Sequence, residues 1–120
     1  MRLMISSRHF PADRDLRREI DRQLRSVMGP VGTAVDDVEV YLTDVNGPRG
    51  GEDKHCRIVA RLPSGPPVVV SRTHRDALAA VGRAASVCRR SVRTRLKRRW
   101  SGRGRAPRRG VAGPDGGPVS

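Results

Sequence analysis

Aromatic residues are nearly absent: Phe10, Tyr41 and Trp100 are the only three in 120 residues. Modules that read single-stranded RNA by laying several bases on several rings need more than that, so a multi-ring stacking platform is excluded. Cysteine is scarce as well. Cys56 and Cys88 each sit in an apolar pattern with no C-x-x-C spacing, which predicts two reduced core thiols rather than a zinc site or a disulfide framework. No apolar run approaches the roughly 18 residues of a membrane span, and Arg8 and His9 follow too closely on the first apolar stretch for a secretory segment. The expectation is a cytoplasmic protein with no membrane partner. Acids, finally, are missing from the C-terminal part: residues 77–120 hold twelve lysines and arginines against one carboxylate, Asp115, so almost all of the net charge of +13 lies there. Such a one-sided excess points to a polyanion, and foremost to nucleic acid.

What is present is enough for one domain. With 36% hydrophobic residues in a clear periodic pattern, the chain has the material for a single core. Leu3 and Ile5 alternate with polar neighbours and predict a short first strand ending near Ser7. Asp13 is a candidate N-cap for a helix whose apolar stripe is Leu16, Ile20, Leu24 and Val27, and Gly29-Pro30 is the expected stop. From Asp37 the period becomes two, with Val38, Val40 and Leu42 on one side of a half-buried strand. Asp44 to Lys54 is turn chemistry throughout, and Cys56, Ile58, Ala60 and Leu62 mark a third strand. Pro67 to Arg72 predicts a short fourth strand, and Thr73-x-x-Asp76 reads as a capping-box-like start to the longest helix. The apolar stripe of that helix is Leu78, Val81, Ala85, Cys88, Val92 and Leu96. The order is β-α-β-β-β-α, which predicts a two-layer α+β sandwich: a four-stranded sheet with two helices on one face. Residues 1–99 form this domain, and 100–120, rich in Gly, Pro and Arg, are expected to be a disordered tail.

The candidate functional residues are basic. At 100° per residue, Arg83, Arg90, Arg93 and Lys97 stack along one side of the second helix with no acid among them, and Arg89 joins the candidate set. A charge run is ordinarily a solvated surface, but this one is uninterrupted and belongs to a very basic chain, which favours RNA binding. Arg14, Arg18, Arg22 and Arg25 share a face of the first helix with Asp15, Glu19 and Asp21 close by, so intrahelical ion pairs compete there with phosphate contacts. Arg18, Arg22 and Arg25 remain secondary candidates, with Arg49 and Lys54 of the long loop. The Gly47–Lys54 loop lacks the G-x-x-x-x-G-K-[ST] spacing and enters a strand, so a connecting loop is the better reading than a nucleotide site. His55 and Cys56 are sequence neighbours on a strand and face opposite ways, which disfavours a nucleophile and base pair. His9 and His74 lie near helix starts with no evident partner and are read as structural or solvent-facing. Arg103, Arg105, Arg108 and Arg109 of the tail suit either unspecific phosphate contact or solubility. No catalytic residue, metal ligand, cofactor or small-molecule substrate is expected, because the acids are scattered and no histidine pairs with them. A general double-stranded RNA-binding protein or RNA chaperone fits the same charge.

The string Val40-Tyr41-Leu42-Thr43-Asp44-Val45-Asn46-Gly47-Pro48-Arg49-Gly50-Gly51-Glu52-Asp53-Lys54-His55-Cys56-Arg57-Ile58, followed by Asp76-Ala-Leu-Ala-Ala-Val81 and an arginine-rich helix, resembles the ribosome hibernation-promoting factor and ribosome-associated translation inhibitor family in its short form. The likeness covers about residues 1–99, and the helix opening has Leu78 where relatives often have tyrosine. It implies a fold similar to a double-stranded RNA-binding domain. It also implies a non-enzymatic protein, a monomer off the ribosome, that binds rRNA of the small ribosomal subunit where mRNA and tRNA sit and so inhibits translation in stress. Longer members carry a second domain that pairs ribosomes. Here an Arg/Gly/Pro tail follows, so pairing through this chain is not expected.

Overall fold

The computed structural model describes residues 1–8, 12–45 and 54–103, with side chains to residue 98. Strand β1 spans Arg2–Arg8, helix α1 Arg14–Met28, β2 Asp37–Asp44, β3 Lys54–Arg61, β4 Val68–His74 and helix α2 Ala77–Arg103. The strands form one sheet in the order β1-β2-β3-β4. β1 runs parallel to β2, with α1 in the crossover, and the other two pairings are antiparallel.

Register sorts the strand residues onto two faces. Leu3, Val38, Ala60 and Val68 lie abreast on the inner face, and Ile5, Val40, Ile58 and Val70 form the next row. Onto these rows α1 places Ile20, Leu24 and Met28, and α2 places Ala80, Val81, Ala84, Ala85, Cys88 and Val92, all fully buried. The expected two-layer α+β sandwich is therefore what the chain forms, with both helices on one face. Cys56 and Cys88 are free thiols within this core, and burial pushes each up to about 12.

The local signals held unevenly. Asp13 caps α1 as expected, its Oδ1 accepting the Leu16 amide at 2.9 Å. Gly29 does not stop the chain in a left-handed turn. It keeps right-handed angles (φ −46°, ψ −49°), and a 3₁₀ segment continues over Gly29–Ala34 with Pro30 in its first turn, where a missing N–H costs nothing. Thr73 opens no capping box because the ladder claims it. β4 extends to His74, which pairs with Lys54, and α2 begins only at Ala77. There the Asp76 carbonyl accepts the Ala80 amide at 3.0 Å, while the Asp76 amide donates to Nδ1 of His74, also at 3.0 Å. His74 thus has a partner that the sequence did not reveal. α2 runs to Arg103, four residues past the expected end at 99. His9 and residues 104–120, with the tail arginines 105, 108 and 109, lie outside the described residues.

Two side-chain anchors and one close glycine contact hold the layers in place. Half-buried Arg17 donates from Nη1 to the Ile5 carbonyl at 2.9 Å and from Nε to the Ala12 carbonyl at 3.1 Å, tying α1 to the edge strand β1. Arg95 donates to the Pro66 carbonyl and so ties α2 to the β3–β4 turn, where Gly65 takes a φ of +85° that other residues rarely adopt. Where α1 meets α2, a Cβ on Gly82 would come within 2.7 Å of the Gln23 amide nitrogen, so the missing side chain lets the helices approach.

Candidate nucleic-acid interface

Arginine and alanine dominate α2, both strong helix formers, and the 27 residues from Ala77 to Arg103 include no acid and no proline. At 1.5 Å per residue such a helix is about 40 Å long. Its buried side ends at Val92, with Leu96 half-buried beyond it, so the C-terminal part carries charge past the core. Arg83, Arg90, Arg93 and Lys97 are all exposed, as their spacing predicts. Arg83, Arg90 and Lys97 recur every seven residues, two turns or about 10 Å apart, and Arg93 lies beside this row. Among the described residues, Arg83, Arg90 and Arg93 make no ion pair or hydrogen bond. Arg89 differs: it is half-buried, and its Nε is enclosed without a hydrogen-bond partner among the described residues.

The first-helix arginines are also exposed, but two of them are committed. Arg22 Nη2 meets Glu19 Oε2 at 2.5 Å and Arg25 Nε meets Asp21 Oδ1 at 2.7 Å, both along the helix surface. Arg14 and Arg18 carry no such pair among the described residues. These arginines rim an open groove against β1 whose apolar lining is Leu3 and Ile5. Lys54 is placed elsewhere: it pairs with Asp44 at 3.3 Å, half-buried, at the end of the β2–β3 ladder. Arg49 lies outside the described residues.

The outer face of the sheet, to which no role was attached from sequence, has its own organisation. Arg61 bridges Glu39 at 2.9 Å and Asp37 at 3.4 Å. The Tyr41 hydroxyl donates to Glu39 at 2.6 Å, which lowers the Glu39 carboxyl and raises the tyrosine, and Arg61 lowers Glu39 further. Arg57 stands over the Tyr41 ring, 5.9 Å from its centre. Val59, an outward position by alternation, is nonetheless buried, because Glu39 and Val69 flank it in register.

Little here supports chemistry on a substrate. Burial holds the Cys56 thiol protonated at neutral pH, and His55 points to the other face of the sheet. Among the described residues no three of His, Cys, Asp and Glu gather into a metal-binding group, and no helix is long and apolar enough to cross a membrane.

A family model described as Sigma 54 modulation protein / S30EA ribosomal protein matches residues 3–100. No curated protein matches the chain in sequence. Several solved structures share its fold. A ribosomal subunit interface protein from Coxiella burnetii superposes with a TM-score of 0.69 at 11% identity, over 81% of this chain and 99% of its own. The N-terminal domain of Protein Y from Thermus thermophilus gives 0.62 at 20% identity, over 78% of this chain and 98% of its own.

Proposed function

The chain belongs to the Sigma 54 modulation protein / S30EA ribosomal protein family, and on that premise we propose that it is a non-enzymatic, cytoplasmic factor of ribosome hibernation. It binds the small ribosomal subunit in the space that mRNA and tRNA use and thereby inhibits translation. One observation carries the reading: the exposed row Arg83, Arg90, Lys97 with Arg93 beside it, on a helix without a single carboxylate. Cations so placed displace condensed counterions from rRNA phosphates, and that release drives binding without making or breaking a bond. The packed sandwich beneath acts sterically, as a rigid body in a channel. One structural neighbour is a ribosomal subunit interface protein, a name that fits this reading.

The test is sedimentation of the purified protein with separated subunits, followed by competition with mRNA and initiator tRNA. The protein is expected to travel with the small subunit, to be displaced by those ligands and to leave the rRNA intact. Staying at the top of a low-salt gradient, or cleaving the RNA, ends the proposal. Binding that mRNA and tRNA fail to displace points instead to a general double-stranded RNA-binding protein.

A further inference from the structure

Among the described residues nothing covers the sheet face opposite the helices, and its register separates charge in a way that the linear sequence hides. Four rows cross it. Arg2, Asp37 and Arg61 form one, and Met4, Glu39, Val59 and Val69 the next. Ser6, Tyr41, Arg57 and Ser71 make a third, and Arg8, Thr43, His55 and Thr73 a fourth. Both carboxylates of the face, Asp37 and Glu39, fall in the first two rows, and Arg61 engages both. The third and fourth rows contain no acid at all. They offer two arginines, a histidine, four hydroxyl residues and one ring, side by side over two rows about 6.7 Å apart.

We infer that these two rows are a second nucleic-acid contact, one that takes a segment of single-stranded RNA. The charge complementarity is direct: Arg8 and Arg57 are unopposed by any carboxylate within their rows, and the serines, threonines and His55 supply donors to phosphate and ribose oxygens. Tyr41 and Arg57 select a single strand over a duplex. Tyr41 is 37% exposed and stands in the middle of the sheet, with its hydroxyl tethered to Glu39 and the Arg57 guanidinium over its ring. The guanidinium over the ring begins a preorganised stack that an unpaired base extends. A duplex has its bases already stacked and presents none. Three aromatic residues are too few for a platform of several bases, but one ring placed by register beside an arginine suffices for one. This face lies across the sheet from α2, so the inference adds a contact to the proposed function without resting on it.

The test uses the full chain and a labelled oligouridylate of about twelve nucleotides, with binding read by anisotropy at low salt; losing one stacked base is worth on the order of tenfold in affinity. Tyr41→Ser and Arg57→Gln are each expected to weaken the oligomer about tenfold, whereas Tyr41→Phe stays within about twofold of the parent. The fourfold α2 variant, with Arg83, Arg90, Arg93 and Lys97 changed to Gln, should keep most of the oligomer affinity. Photocrosslinking of a thiouridine-substituted oligomer to the parent protein gives a readout that needs no variant to fold, and adducts are expected on the β2 and β3 peptides. Parent-like binding by both Tyr41→Ser and Arg57→Gln overturns the inference, as do adducts confined to α2. So does a duplex of equal length that binds the same peptides as tightly. Sedimentation of the same variants with the small subunit keeps the two faces distinct, since only the α2 variant should lose that interaction.

Discussion

Helices α1 and α2 lie side by side on the same sheet and each carries a face of four exposed cations, with Arg98 exposed besides on α2, yet they do so in opposite ways. Along α1, Arg22 and Arg25 are bonded to Glu19 and Asp21, so half of its exposed row is neutralised within the helix. Along α2 there is no carboxylate to bond, and Arg83, Arg90 and Arg93 stand without an ion pair among the described residues. The helices also reverse roles underneath. α1 fills space with Ile20, Leu24 and Met28, while α2 lies close with Ala80, Ala84 and Ala85. Counting charges would rate the two faces equal. Only on α2 does a whole face of cations lie on a helix without any carboxylate, and such a face can release counterions from a phosphate backbone.

The largest effect expected from this contrast is on RNA. Changing Arg83, Arg90, Arg93 and Lys97 together to glutamine should lower the slope of log affinity against log salt by roughly three to four, at about 0.7 to 0.9 per phosphate contact. The same change at Arg14, Arg18, Arg22 and Arg25 should move the slope by about half as much or less. A salt titration of small-subunit binding for both variants, beside thermal unfolding to confirm the fold, measures this. A larger loss from the α1 set would invert the comparison.

A smaller effect concerns the buried sides. Leu24→Ala should cost about 2 to 5 kcal/mol, because the volume α1 supplies is left empty. Ala84→Leu should cost about 1 to 3 kcal/mol for the opposite reason, since α2 lies too close to the sheet to admit the added carbons. Urea unfolding of the two variants compares them directly. If Ala84→Leu is neutral, α2 stands off the sheet and the alanine stripe has no packing role.

The smallest effect sharpens the electrostatic half of the comparison. Glu19→Gln combined with Asp21→Asn removes both surface pairs of α1 at a cost of a few tenths of a kcal/mol each in stability. Subunit affinity at low salt should rise severalfold as Arg22 and Arg25 are released. Unchanged affinity would mean that α1 differs from α2 by where it faces rather than by what its arginines are bound to.

Much of this was legible in the chain. The four-residue recurrence from Leu16 to Leu24, the alternation from Val38 to Leu42 and the acid-free run after Asp76 reflect helix and strand periods that any core or surface must respect, and each appears where its period places it. The errors came where two local codes competed. Thr73 reads as a helix cap by its neighbours but belongs to β4, because pairing along β3 as far as Lys54 outweighs one capping bond. Ala77, Ala80 and Ala84, which the expected apolar stripe of α2 did not include, are buried.

By itself the sequence determined the element order, the inward residues of the first three strands and the one-sided charge of α2, because these depend only on periods of two and 3.6 and on residue type. Tertiary structure alone decided which cations are available. It assigned Arg17 to the Ile5 carbonyl, Arg95 to the Pro66 carbonyl, Arg61 to two carboxylates and Lys54 to Asp44. It also set Arg57 over Tyr41, sixteen positions apart in the chain and direct neighbours in the register. Partners of that kind are fixed by strand pairing and helix docking across long stretches of chain, and no local pattern records them.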